Sequence, residues 1–223
     1  LWKREATGDA NLERVQDGGL PVVWGEDDGD YEVLRGLLRG ADVIVDALLG
    51  VGASLPLRDN LRSLLETVSA SLGERRGATG LAHAVPGAGL RAAPLVVAVD
   101  CPTGLDSDTG EVDPATLQAD VTVTFAHPKV GLLRFPGAGK VGRIVVADIG
   151  IPPELAADVD LEMATAETVA AWLPERPPSS HKGTFGRVLV VAGSVNYVGA
   201  AALAGSGAKR VGAGLVTMAL PGP

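Results

Sequence analysis

Four short apolar runs, rich in β-branched residues, are the feature that most constrains the fold of this chain. They predict strands over 42–49, 94–100, 120–125 and 142–148, with a one-faced apolar helix over 57–70 between the first two. Strands that are apolar along their whole length are typical of parallel sheets buried on both faces. Aromatic residues make up only 4% of the chain and Gly, Ala and Val abound, so small and branched side chains must build the core. We therefore expect an α/β protein.

Further helices and strands flank these four runs. Upstream, the pattern predicts helices around 11–16 and over 31–38, and an apolar strand over 20–24. The downstream pattern predicts a strand, a small-residue helix and a second strand over 187–192, 199–211 and 214–219. This alternation is typical of βαβ units.

Two segments interrupt the alternation. Residues 73–93 are rich in Gly, Ala, Arg and Pro without periodicity, which predicts an exposed, mobile insertion. A linker is expected over 156–178, dividing a domain over 1–155 from a second one over 179–223. Because about 45 residues cannot bury enough surface to stand alone, the second domain is expected to be truncated or to borrow a partner's surface.

Charge and cysteine content exclude several classes of protein. The net charge is -8, and we find no cluster of Lys and Arg that would hold a phosphate backbone, so nucleic acid is not an expected partner. Cys101 is the single cysteine, which excludes an intrachain disulfide and favours a reducing compartment. No apolar run is long enough to span a bilayer and no signal-peptide pattern begins the chain. We expect a cytoplasmic protein without membrane contact.

Two predicted strands end in a carboxylate followed by a glycine-containing turn. Asp46 precedes Gly50 and Gly52, and Asp100 precedes Thr103 in a loop rich in Asp, Thr and Gly. Ligands of doubly wound sheets bind beyond the carboxyl ends of the strands, where these carboxylates could bind a cation, hold a ribose hydroxyl or exchange a proton. Plain polar turns remain the alternative for both segments.

Three further motifs carry weaker signals. Asp106 and Asp108 begin like a calcium loop, but the later ligand spacing is missing, so we reject an EF-hand. Either His127 or Lys129 could reach the crevice from the end of the third strand, although such a segment is more often a loop than a ligand, and zinc is not expected. The Gly-rich turn before the helix at 199–211 suits either a nucleotide or close helix-sheet packing.

Taken in order, these segments resemble the bifunctional NAD(P)H-hydrate repair enzymes of the YjeF family. The matching stretches are 45–52, 97–110, 121–133, 146–152 and 181–217. The resemblance implies a Rossmann-like, three-layer epimerase domain followed by the start of a ribokinase-like, ADP-dependent dehydratase domain. It also implies epimerisation of the R and S forms of hydrated NAD(P)H and, in the complete protein, dehydration of the S form back to NAD(P)H.

The same resemblance implies the site residues. Asp46 and Thr103 would bind a potassium ion, with Thr103 standing where the family often has Ser. We hypothesise that Asp100 is the catalytic carboxylate, with Asp46 as the alternative, because both end strands at the crevice. The implied residues for the hydrated dinucleotide are Gly50, Val51, Gly52, Ala53, Ser54, Leu55, Pro56, Asp100, Gly199 and Ala200.

Two family motifs are missing from the sequence. The Asn-Asn-Gly-Gly-Asp loop would precede Leu1 and the Gly-Thr-Gly-Asp segment would follow Pro223, so the chain is expected to be incomplete for both activities. The expected cofactors are potassium and ADP (or ATP), the substrate is the hydrated dinucleotide, and a homo-oligomer is expected. A non-catalytic dinucleotide-binding or interaction module, or a ribokinase-like small-molecule kinase, remains the alternative function.

Overall fold

The computed structural model describes residues 9–77 and 94–222. Two compact units divide between Asp158 and Val159, which falls inside the predicted linker. No helix in the described ranges is long and apolar enough to cross a membrane. The predicted domain bounds stay a prediction.

A four-stranded, wholly parallel sheet forms the centre of the first unit. Its strands lie in the order β1-β2-β3-β4 and each is short: β1 Val43–Asp46, β2 Leu95–Val99, β3 Val121–Phe125 and β4 Arg143–Ala147. Helices α1 Ala10–Asp17 and α2 Glu32–Gly40 precede β1, and α3 Asp59–Gly77 connects β1 to β2. Three short 3-10 helices lie at Val130–Leu133, Gly137–Gly139 and Pro153–Ala156. The predicted parallel α/β fold is confirmed.

The core of this unit lies between one face of the sheet and the helices α2 and α3. Val96 and Ala98 of β2 are fully buried there, against Leu65 of α3 and Leu38 of α2. The opposite face of β1 exposes Val43 and Val45. Burying a branched side chain of this size contributes about 1.5–3 kcal/mol, so this one-sided core anchors the ends of β1 and β2 where Asp46 and Asp100 follow.

Two predictions for this unit were wrong in part. Residues 20–24 form no strand, and one of them, Pro21, has no N–H to donate to a sheet ladder. Residues 73–77 are not an insertion but the end of α3, where Arg75 donates to the carbonyl oxygens of Leu38 and Ala41 and so holds the helix beyond its apolar stripe. The remainder of the predicted insertion, 78–93, lies outside the described residues.

The second unit contains one parallel βαβ element. Strand β5 Arg187–Val191 pairs with β6 Leu215–Ala219, and α5 Val198–Val211 connects them and ends at Gly212 in the left-handed region. A short helix, α4 Ala166–Trp172, begins within the predicted linker. The strands and helix that the sequence predicted for this part are confirmed to within two residues.

The end of the predicted linker lies within the second unit and packs against its βαβ element. Arg176 lies over the ring of Phe185 at 4.3 Å from its centroid and donates to the carbonyl oxygen of Gly212 over 2.7 Å. Stacking and hydrogen bonding by one guanidinium therefore connect the linker to the residues just before β5 and to the end of α5.

Candidate functional site at the ends of β1 and β2

Asp46 is a buried carboxylate at the end of β1, with only 4% of its surface exposed. Both of its oxygens bind one residue: Thr103 donates its hydroxyl to Oδ1 over 2.5 Å and its backbone N–H to Oδ2 over 2.8 Å. Thr103 Oγ1 in turn accepts the N–H of Leu49 over 3.2 Å. The turn after β1 is thus connected to the loop after β2 through these hydrogen bonds.

The charge of Asp46 has only neutral partners in the described part of the chain. Burial raises the pKa of this carboxyl, and the hydrogen bonds from Thr103 and the Leu48 backbone oppose that rise only in part. An ionised carboxylate away from water is costly unless a cation compensates it. Carboxylate and hydroxyl oxygens are ligands that a hard cation accepts, so Asp46 and Thr103 fit a potassium ion chemically.

Asp100 lies directly after β2 and has a left-handed backbone, with φ at +67°. Such a conformation is uncommon for residues with a side chain, and Asp and Asn tolerate it better than most. Oδ1 accepts hydrogen bonds from Lys129 Nζ, from the Phe125 N–H at 3.2 Å and from Thr124 Oγ1 at 3.4 Å. The loop conformation and three donors therefore fix the direction of this carboxylate.

The two oxygens of Asp100 differ in their surroundings. All three donors bind Oδ1, whereas Oδ2 faces Gly50, where a Cβ atom would lie 3.6 Å from it. Burial works to raise the pKa of Asp100, but the hydrogen bonds and charge of Lys129 and the Phe125 N–H outweigh it and lower the pKa. Asp100 is therefore ionised at neutral pH, with Oδ2 directed at the glycine turn.

Lys129 is the residue of this site that the sequence left undecided. Its ammonium contacts Asp100, Thr124 Oγ1 at 3.0 Å and the Phe125 carbonyl at 3.1 Å, which uses its three donors. His127, the other residue considered there, is exposed. Both residues follow the end of β3 and stand two positions apart, so the period of a strand does not separate them, and no local signal singled out Lys129.

The other predicted ligand residues lie in two places. The turn 50–56 begins beside Asp100 and exposes Val51, Gly52, Ser54 and Pro56 to solvent, while Ala53 and Leu55 are half-buried. Gly199 and Ala200 are exposed in the first turn of α5, in the second unit. The structure thus brings Asp46, Gly50, Asp100 and Thr103 together at one edge of the first sheet.

An ion pair that the sequence did not predict lies at the far end of the turn 50–56, and it joins a buried carboxylate to a half-buried guanidinium. Asp113 is fully buried and accepts two bonds from Arg62 of α3, at 2.7 and 3.4 Å. It also accepts the backbone N–H groups of Leu57 and Ala115, each at 3.0 Å. The partners stand 51 positions apart in sequence, and no local pattern announces such a pair.

Asp113 makes the stability of the protein sensitive to acid. Arg62 is the main reason why its pKa falls from 3.8 to about 2. A carboxyl whose pKa is lower in the folded than in the unfolded state stabilises the fold at any pH above its unfolded-state pKa. This stabilisation is lost as the pH falls to the folded-state pKa. Between pH 5 and pH 2 we expect the wild type to lose about 2 kcal/mol of unfolding free energy that Asp113→Asn does not lose. Urea titrations at both pH values measure this difference, and equal losses in the two proteins would contradict it.

Taken together, these features define a class of protein. A parallel α/β domain carries two strand-end carboxylates and a glycine turn at the carboxyl edge of its sheet, the place where such folds bind nucleotides. The described residues hold no group of three or more His, Cys, Asp or Glu side chains that could bind a metal.

Sequence comparison identifies the family. Residues 3–131 match the family described as YjeF-related protein N-terminus. The chain belongs to this family, which confirms the resemblance read from its motifs.

Curated relatives extend the match. Bifunctional NAD(P)H-hydrate repair enzymes from Moorella thermoacetica and Escherichia coli are 42% and 34% identical to it over 183 and 179 residues, covering 81% and 80% of this chain. Their counterpart from Thermofilum pendens is 36% identical over 209 residues, or 94% of the chain. The chain spans about a third of the length of these relatives: 31%, 31% and 35%. Among solved structures, yeast YNL200c aligns with a TM-score of 0.49 and 20% identity over 74% of this chain and 60% of its own.

Proposed function

We propose that the first unit is the epimerase part of an NAD(P)H-hydrate repair enzyme and interconverts the R and S forms of hydrated NAD(P)H. One observation carries the proposal: Asp100 presents a free, ionised oxygen toward a glycine turn, while a second carboxylate lies buried at the adjacent strand end. A binding module without turnover would not need a strained carboxylate whose direction is fixed by three donors. The names of the curated relatives support the same activity.

Asp100 is proposed to perform the proton transfer. The substrate carries a hydroxyl on the ring carbon beside the nicotinamide nitrogen, and epimerisation requires that centre to open or lose its hydroxyl and then re-form on either face. As the bond between this carbon and the ring nitrogen breaks and the C–O bond becomes a carbonyl, Asp100 Oδ2 accepts the hydroxyl proton and passes it to the nitrogen, which has taken the bonding pair. Closure on either face reverses both transfers. Lys129, bound to Oδ1, holds the carboxylate ionised and in place for this exchange.

The direct test supplies one purified epimer to the protein expressed from its complete reading frame. Appearance of the other epimer, separated chromatographically, at a rate well above the buffer control supports the proposal. A rate equal to that of buffer would contradict it.

Potassium is the proposed ion at Asp46, held by the carboxylate and by the Thr103 hydroxyl oxygen. When bound, it would supply positive charge near the substrate and compensate a carboxylate that has no cationic partner among the described residues. The alternative, in which Asp46 is the proton carrier and Asp100 the ligand, fits less well because Thr103 occupies both oxygens of Asp46.

Asp46→Asn tests the potassium assignment. The amide oxygen can still accept a bond from Thr103, so the fold is retained while the negative charge disappears. We expect potassium to raise the melting temperature and activity of the wild type above the values in sodium, and to change neither in the variant. Activity in potassium should fall at least about tenfold, a loss of roughly 1.4 kcal/mol.

Asp106→Asn is the matched control for Asp46→Asn, since Asp106 bonds only within its own exposed turn. The control should keep the potassium response. A variant at position 46 that kept it as well would remove Asp46 from the ion site.

The second unit is proposed to begin an ADP-dependent dehydratase that converts the S form back to NAD(P)H, with Gly199 and Ala200 at its dinucleotide site. Similarity to the Thermofilum pendens enzyme covers 94% of the chain and so extends into this unit. The protein expressed from its complete reading frame should produce NADH from the S epimer with ADP and not without a nucleotide. ATP in place of ADP distinguishes the two candidate cosubstrates.

We further propose a cytoplasmic homo-oligomer without nucleic-acid partners.

A further inference from the structure

The turn 50–56 is anchored at its two ends by different contacts. At the start, Gly50 lies beside Asp100 Oδ2, and Leu49 donates to Thr103. Between the ends, Val51 is 55% exposed and packs little. The position of the turn over Asp100 therefore depends on what fixes its far end.

Asp113 fixes that far end. Its Oδ2 accepts the N–H of Leu57, the residue that directly follows the turn, and Arg62 holds the same oxygen from the first turns of α3. The side chain of Asp113 has no solvent exposure, so water does not reach the carboxylate, although the Arg62 side chain is 34% exposed. The start of α3 and the end of the turn thus both donate hydrogen bonds to the Asp113 carboxylate.

Asp113 is also fixed to the segment that carries the catalytic groups. Its own N–H donates to the carbonyl of Gly104 over 2.8 Å, and Gly104 follows Thr103. The left-handed Gly104 has no room for a Cβ atom, which would lie 2.5 Å from Thr116 Oγ1. The hydrogen bond to Gly104 and the close packing around Gly104 therefore both oppose a displacement of Asp113 relative to Asp100 and Thr103.

The ion pair also forms part of a groove that adjoins the turn. Its volume is about 460 Å³, and its lining includes Leu55 and Pro56 from the turn, Arg62, Asp113 and Pro136. The groove continues from the end of the turn, so its shape depends on the bond between Asp113 and Leu57.

We propose that Asp113 is a positioning residue for the dinucleotide: it holds the turn 50–56 at the distance from Asp100 that substrate binding requires, and takes no part in proton transfer. This inference rests on the proposed epimerase function. The two tasks of the site are thereby separated: Asp100, held in place by Lys129, acts on the reacting centre, whereas Asp113 and Arg62 set the geometry of the binding turn. A buried charge is required because one anion accepts two backbone donors and a guanidinium at once.

Epimerase kinetics of Asp113→Asn test the proposal in the protein expressed from its complete reading frame. We expect KM for the hydrated dinucleotide to rise about tenfold or more, because the amide binds Arg62 and Leu57 more weakly, with kcat within about threefold of wild type. Arg62→Gln leaves the carboxylate on Leu57 and should raise KM less. Asp106→Asn should leave both constants unchanged.

Amide hydrogen exchange and NADP⁺ binding test the proposal even if Asp113→Asn or the wild type shows no epimerase activity. Amide exchange at 50–57 should rise in Asp113→Asn while the strands β2 and β3 remain protected, and NADP⁺, used as the probe, should bind more weakly. Unchanged KM together with unchanged exchange at 50–57 would overturn the proposal, and so would a loss confined to kcat. If the wild type fails to interconvert the epimers, the proposed function fails, and exchange and NADP⁺ binding alone decide whether Asp113 positions the turn.

Discussion

Asp100→Asn is expected to lower the rate of epimer interconversion by a factor of about 10² to 10⁴, the usual contribution of a placed general base. The amide cannot accept a proton at neutral pH, whereas the carboxylate is ionised there because Lys129 and the Phe125 N–H lower its pKa. KM should change little, since the turn that we assign to the dinucleotide keeps its Asp113 anchor. Single-turnover and steady-state rates measured with one purified epimer separate these two effects.

The fold should survive this substitution. Asn tolerates the left-handed region, so the backbone at φ +67° carries no new strain, and the amide oxygen can still accept from Lys129. Weakening the bond to Lys129, in a pair whose side chains are only 13% and 20% exposed, should lower the unfolding free energy by about 1.5–3 kcal/mol. Asp108→Asn, on the exposed part of the same loop, is the matched control and should change neither rate nor stability. An unaltered rate in Asp100→Asn would leave Asp46 as the remaining carboxylate for proton transfer.

The sequence predicted the site through its strands. Carboxylates at the carboxyl ends of two parallel strands must lie at the same edge of the sheet, and this holds for any conformation of the loops. Asp46 and Asp100 lie at that edge in the structure. The direct bonds between Asp46 and Thr103 follow from this arrangement, since β1 and β2 are neighbours and Thr103 follows β2. Strand order was the unknown, and adjacency of consecutive strands is the commonest solution.

Other parts of the site depend on contacts that no local pattern encodes. Asp113 and Arg62 meet across 51 positions only because α3 packs on the sheet beside the loop that follows β2. The absence of a strand at 20–24 has the same origin, because an apolar run becomes a strand only when a partner accepts its N–H groups. Tertiary packing rather than intrinsic preference decided both cases.

The 3-10 turn that follows Lys129 is the other structural element on which the site depends. Gly131 lies in this turn and donates its N–H to the carbonyl of Ser107 over 2.7 Å, so the backbones of the two segments are in direct contact. A Cβ atom at Gly131 would lie less than 3.0 Å from the carbonyl oxygens of Asp106 and Ser107. Since both neighbours are backbone, no rotamer change can relieve the overlap, and the turn must move away from the loop.

Gly131→Ala should therefore reduce stability and activity together. We expect a loss of about 3 kcal/mol, the upper part of the usual range for overpacking, and a melting temperature lower by roughly 6–12 °C. Activity of the folded fraction should fall as well, because a shift of the turn withdraws the Lys129 ammonium from Asp100. Gly139→Ala is the control from the next 3-10 turn, where a Cβ atom would meet only the Phe135 ring at 3.7 Å and should cost little. Thermal unfolding followed by circular dichroism compares the two, and equal melting temperatures would show that the loop yields to the added methyl group.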